Sequence, residues 1–228
     1  GSEKTAGDEV SSEAENTGRA EEENTAASDV GGETGGEEGS TDDNAEASAA
    51  AYGIEDLKGA PDITADSAIL MDAASGAVLY GKDENSKQYP ASITKVMTAL
   101  LAIENCSMDD IVTFSNEAVN GIEPGSSSAG INVGAQLTVE DTLYALMLVS
   151  ANEAAAALAE HISGSDEAFA DLMNQRAAEL GCTGTHFTNP HGLPDEDHYT
   201  TAHDMALILQ QAMKYQDFRT IAEAESYT

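Results

Sequence analysis

Residues 88–100, QYPASITKVMTAL, place a lysine in what otherwise reads as the buried wall of a helix. Desolvating an ammonium is costly unless a partner offsets it or the proton is given up, so Lys95 needs either a partner or a task. Ser92 lies three residues earlier, a spacing that puts both side chains on one helical face, one turn apart. That is the geometry of a nucleophile beside its base. Pro90 sits where a helix is expected to begin, and SITKVMTALLAIE is apolar on nearly every side, which predicts a central, buried helix.

Working upstream, SAILMDAASGAVLYGKDEN alternates apolar residues on both sides of a turn-rich DAASG, which predicts a β-hairpin with strands near 67–72 and 77–81. Downstream the pattern is mainly helical. Thr138 and Asp141 form an N-terminal capping signal ahead of TLYALMLV, and NEAAAALAEHI continues at helical period after a break at SAN. DEAFADLMNQRAAEL ends at Gly181, and TTAHDMALILQQAMK is a further helix capped by Thr201. The fold class read from this order is α+β, an N-terminal hairpin followed by a helical region with very little later strand. A two-stranded hairpin is marginal alone, so strands that close the sheet are expected to be missing from these 228 residues.

Residues 1–50 are a different material. They hold 15 acidic and 2 basic residues, no aromatic residue, and Val10 and Val30 as their only large aliphatics. Such a segment cannot bury enough apolar surface to offset the entropy of ordering it, which predicts a disordered acidic linker over 1–50 and one partial catalytic domain over 51–228. The tail carries −13 of the net charge of −33. A charge this negative argues against nucleic acid and anionic membrane surfaces as direct partners. No run is long and apolar enough to span a bilayer, so any membrane contact is expected to be made through a segment outside this sequence.

Ser92-Ile93-Thr94-Lys95 is the only Ser-x-x-Lys in the chain. Taken alone it fits a nucleophile and its base, or a helix-capping serine beside a lysine that snorkels to the surface. Ser150-Ala151-Asn152, the only Ser-x-Asn, lies where two apolar helical runs meet, a place from which polar side chains can enter a shared cleft. Capping roles are available to both motifs separately; their coincidence favours a site.

Ser92-x-x-Lys95, Ser150-x-Asn152, the hairpin DAASGAVLY, GSSSAGINVGAQLTVEDTLYALMLVSANEAAAALAEH and TNPHGLPDEDHYTTAHDMALI resemble the low-molecular-mass penicillin-binding proteins, the serine-type D-alanyl-D-alanine carboxypeptidases, from about Ser67 to Thr228. The resemblance implies a β-lactamase/transpeptidase-like fold and an acyl-enzyme mechanism that removes the terminal D-alanine of peptidoglycan stem peptides outside the bacterial cytoplasm, with β-lactams as covalent inhibitors. It implies Ser92 as nucleophile, Lys95 as general base, Ser150 as proton relay and Asn152 as a substrate-binding residue, without a cofactor. The family's third motif, Lys-Thr-Gly on a later strand, does not occur here, which leads to the expectation of a truncated chain of doubtful turnover.

The competing readings are a β-lactamase of the same superfamily and a non-catalytic wall-binding scaffold. His191, His198 and His203 are spaced by seven and five residues, which fits no compact zinc pair, so a structural role and no metal are expected. Cys106 and Cys182 follow no metal or redox spacing and are expected to be free, partly buried thiols, with a disulfide between them as the alternative.

Overall fold

The computed structural model describes residues 63–228. The expected tail over 1–50 and its boundary at residue 51 lie outside the described residues. The hairpin forms where expected, β1 (Ala68–Met71) antiparallel to β2 (Val78–Lys82), with an irregularity between Leu70 and Met71. Its turn is held by Asp72, whose Oδ1 accepts from the backbone N–H and the hydroxyl of Ser75. Among the described residues the hairpin remains a two-stranded sheet.

A 3-10 turn over Ala91–Thr94 leads into α1 (Lys95–Asn105). The run KVMTALLA is buried at Lys95 and again from Met97 to Ala102, as its all-round apolar sequence requires. Around α1 pack α3 (Val139–Leu148), α4 (Asn152–Ser163), α5 (Asp166–Glu179), α6 (Ala202–Ala212) and α7 (Gln216–Ala222). Met97, Leu100, Leu101, Leu143, Leu146, Leu158, Phe169, Met173, Phe187 and Ile208 form the centre of one core. In α4 every residue from Asn152 to Ala159 is buried, and its alanines let α1, α5 and the short α2 (Asn116–Asn120) approach closely.

The capping expectations hold in detail. Thr138 and Asp141 form a reciprocal capping box at the start of α3, and Thr201 Oγ1 accepts from Asp204 N–H at the start of α6. Gly181, just past α5, adopts φ +84, the left-handed conformation that ends helices. A small sheet was not read from the sequence: β3 (Ile111–Thr113) pairs with β4 (Gln136–Thr138), and each strand is too short to show a period. Cys106 and Cys182 are free, and the Cys182 thiol, pushed up to about 12 by burial, lies against Asp204 O. No helix among the described residues is long and apolar enough to cross a membrane.

Candidate active site

The motif helix is gripped by the loop that follows α5. Ala91, Thr94, Lys95 and Thr98 recur at helical spacing, and each meets a different part of residues 188–198. Thr98 Oγ1 donates to Pro190 O at 2.6 Å, and Lys95 Nζ donates to His191 O at 2.8 Å. Gly192, at φ +85, lies so close to the Ala91 carbonyl that a Cβ there would overlap it, so only glycine fits both the conformation and the approach. His198 accepts from Thr188 N–H on Nδ1 at 3.1 Å, which leaves its proton on Nε2, 2.8 Å from Thr94 Oγ1. Asn189 organises the loop from within: its Oδ1 accepts from the N–H groups of His191 and Gly192, and its Nδ2 donates to Leu193 O.

Ser92 is exposed on the 3-10 turn, and Lys95 is 3 % exposed at the start of α1. The i, i+3 spacing sets the two side chains on one face, since side chains three apart eclipse in a 3-10 turn. Lys95 Nζ has three neighbours: Asn152 Oδ1 at 2.7 Å, His191 O at 2.8 Å and Ser92 Oγ at 3.3 Å. Burial lowers the Lys95 pKa to about 8, against the opposing pull of the Glu153 carboxylate. A neutral amine has two N–H groups and one lone pair. With both N–H groups directed to the two closer oxygens, the lone pair faces Ser92 Oγ, which then donates its proton toward Nζ.

Asn152 opens α4 and is buried; its backbone N–H donates to Ser127 O. Ser150, two residues earlier, has φ +58, a conformation that costs a serine about 1 kcal/mol or more. Its hydroxyl is buried and has no hydrogen-bond partner among the described residues. The structure therefore brings Ser92, Lys95 and Asn152 together by hydrogen bonds and leaves the Ser150 hydroxyl unbonded to any of them.

Sequence reasoning missed Glu153, which is 1 % exposed. Its Oε1 accepts from Ser128 Oγ and the backbone N–H groups of Ala129 and Gly130, pinning the Gly/Ser-rich loop ahead of β4 to the start of α4. An acidic residue in a helix's first turn is ordinary at a surface; the signal here was the serine- and glycine-rich partner segment GSSSAG, whose N–H groups converge on one oxygen. The three histidines behave as structural groups: burial holds His191 and His198 down to about 4, and His203 donates its backbone N–H to Glu84 O. The 3.9 Å approach of His191 Nε2 to Asp166 is accordingly not an ion pair at neutral pH.

A match to the family model described as D-alanyl-D-alanine carboxypeptidase, peptidase S11, covers residues 55–228. The chain belongs to this family. It is 41% identical over 157 residues to the D-alanyl-D-alanine carboxypeptidase DacF of Bacillus subtilis, an alignment covering 67% of this chain and 40% of the relative. Among solved structures it resembles penicillin binding protein 5 from Haemophilus influenzae, with a TM-score of 0.70 and 35% identity over 75% of this chain and 51% of that one. A Streptomyces K15 DD-transpeptidase matches with a TM-score of 0.70 and 32% identity over 74% of this chain and 68% of that one. The fold is thus α+β of the penicillin-binding type, and the chain spans less than half the length of the curated relative it matches.

Proposed function

We propose that this chain supplies the serine-lysine half of a D-alanyl-D-alanine carboxypeptidase site that trims peptidoglycan stem peptides in the bacterial cell envelope, outside the cytoplasm. The observation that carries this reading is the Lys95 amine, buried and held by Asn152 Oδ1 and His191 O with Ser92 Oγ as its third neighbour. Ser92 loses its hydroxyl proton to Lys95 Nζ and attacks the carbonyl between the two terminal D-alanines. The Ser92 N–H, in the first turn of its helix, donates to the oxygen that becomes negative. The proton held by Lys95 passes on through the Ser150 hydroxyl, which gives one proton to the nitrogen of the departing D-alanine as it takes one from Lys95. Asn152 holds Lys95 and the substrate amide, and water releases the shortened peptide and restores the Ser92 hydroxyl. A β-lactam acylates Ser92 by the same attack and leaves slowly. Residues 51–228 are read as part of the catalytic domain and residues 1–50 as an acidic spacer.

The test is intact-mass measurement after exposure to a penicillin, on this chain, on Ser92→Ala and on a form extended to the length of its relatives. A persistent adduct of one penicillin mass on the extended wild type, absent from Ser92→Ala, is expected. An unmodified extended form would sink the enzyme reading in favour of a wall-binding scaffold, and rapid loss of the adduct with accumulating hydrolysed penicillin would move the assignment to a β-lactamase.

A further inference from the structure

The helices that begin at the candidate site end together. Lys95 opens α1 and Asn152 opens α4; about ten residues later, ~15 Å along each axis, Cys106 caps α1 and His161 lies in the last turn of α4. Asp110 joins them from the turn after α1. The Cys106 Sγ, a His161 ring nitrogen and an Asp110 carboxylate oxygen all lie within 4.8 Å of one another.

We infer that Cys106, Asp110 and His161 form a binding site for a zinc-class divalent ion, which clips the far end of α1 to the far end of α4. No local spacing marks it, because His161 is 55 positions from Cys106.

The donor set is one sulfur, one nitrogen and one oxygen, a mixture that suits zinc and its neighbours and excludes magnesium and calcium, which take oxygen alone. Metal–ligand lengths near 2.0–2.3 Å place donors roughly 3.6 Å apart in a tetrahedral site. The cluster therefore has to contract by about an ångström, a change within reach of side-chain rotation because Asp110 and His161 are exposed. Asp110 is already positioned: its Oδ2 accepts from Ser107 N–H at 2.8 Å, and its own N–H donates to Ser107 O. Neither the Cys106 thiol nor the His161 ring makes a hydrogen bond among the described residues, so binding breaks no existing contact of theirs. Half-burial and the nearby Asp110 charge raise the Cys106 pKa, so the thiol arrives protonated and the metal displaces that proton, Cys–SH plus M²⁺ giving the metal thiolate and H⁺.

The experiment titrates the full 228-residue chain with Co²⁺, then Zn²⁺. A thiolate-to-cobalt charge-transfer band is expected at one equivalent and is displaced by zinc. The acidic tail contains neither cysteine nor histidine, so any cobalt it holds gives no such band. Cys106→Ser is expected to abolish the band, Cys182→Ser to leave it unchanged, and His161→Gln or Asp110→Asn to weaken binding at least about tenfold. Zinc should also raise the melting temperature of the wild type and not of Cys106→Ser. No band at stoichiometric cobalt, a band surviving in Cys106→Ser, or unchanged affinity in His161→Gln would each overturn the inference. Since penicillin acylation is read separately, failure of either proposal is visible without the other.

Discussion

Lys95 and Ser150 are both assigned to proton traffic, yet their surroundings are opposite. Lys95 lies in relaxed helical backbone, with every position around its nitrogen occupied by an oxygen. Ser150 lies in left-handed backbone, and its buried hydroxyl has no partner among the described residues. A buried unpaired hydroxyl costs roughly 1–3 kcal/mol and the backbone strain adds to it. The lysine side offsets part of its desolvation with three hydrogen-bonding neighbours, whereas the serine side leaves both its strain and its buried hydroxyl uncompensated among the described residues. Strain retained without a structural return is the pattern expected where function dictates the residue.

The largest expected effect is on the lysine side. Lys95→Met should slow penicillin acylation of Ser92 by about 10²–10⁴, the usual worth of a positioned general base. The wild-type rate should rise about tenfold per pH unit below pH 8 and level off above it, since the base form of Lys95 reacts and its pKa is about 8. The rate of adduct formation by intact mass, measured from pH 6 to pH 9.5, checks both; a flat profile would break the assignment of Lys95 as the base. Stability follows the same group with a definite sign. Between pH 8 and the unfolded value near 10.5 the unfolded chain holds the extra proton, so this contribution to stability increases as pH rises through that window.

The grip of residues 188–198 on α1 comes next. Gly192→Ala has to move a Cβ away from the Ala91 carbonyl and to hold alanine at φ +85, and should destabilise by about 2–4 kcal/mol. At roughly 2–4 °C per kcal/mol for a chain of this size, the melting temperature should fall by about 4–16 °C. Acylation should fall with it, because the displaced loop carries the His191 carbonyl that orients Lys95. An unchanged melting temperature would show that the loop is not clamped as described.

Ser150→Gly separates the two sides. Glycine removes both the strain and the unpaired hydroxyl, so this variant should be more stable by about 1 kcal/mol in denaturant melts while losing acylation or turnover. Ser150→Ala keeps the strain and should gain less. A variant that is both less stable and equally reactive would remove the contrast between Ser150 and Lys95.

The hairpin, the long helices, their caps and the Ser92–Lys95 pair were legible because each rests on periodicity or on a local spacing. The grip on α1 was not. Thr98 and Lys95 donate to the carbonyls of Pro190 and His191, and a carbonyl oxygen has no sequence signature. Glu153 was missed for a related reason, since its donors are mostly backbone N–H groups more than twenty residues away. The fit of Gly192 against Ala91 joins positions about a hundred residues apart, so its requirement for glycine shows only in three dimensions. Asn152, by contrast, was placed correctly opposite Lys95 because a break between two apolar helices restricts where its side chain can go.

The smallest effect tests the outer edge of the same loop. Asp166 opens α5 with its Oδ2 3.9 Å from the His191 ring, and its Oδ1 is buried without a partner among the described residues. Burial first, then the charges of Glu160, Glu167 and Glu117, raise its pKa to about 6. His191 is neutral above pH 4, so it does not compensate the carboxylate. Between about 3.8 and 6 the folded chain therefore holds more protons than the unfolded one, and the contribution of Asp166 declines as pH rises through that window. His191 and His198 act in the opposite direction: with folded values near 4 against 6.5 unfolded, the stability they contribute above pH 6.5 is lost as pH falls toward 4. Asp166→Asn should thus raise the melting temperature slightly at pH 7.5 and leave it nearly unchanged at pH 3.5, where the wild-type carboxyl is already neutral. Because the side chain is 35% exposed, solvent screening holds the gain to less than about 1 kcal/mol. A loss of stability at pH 7.5 would mean that the carboxylate supports His191 electrostatically after all, and the loop would then depend on charge as well as on its fit to α1.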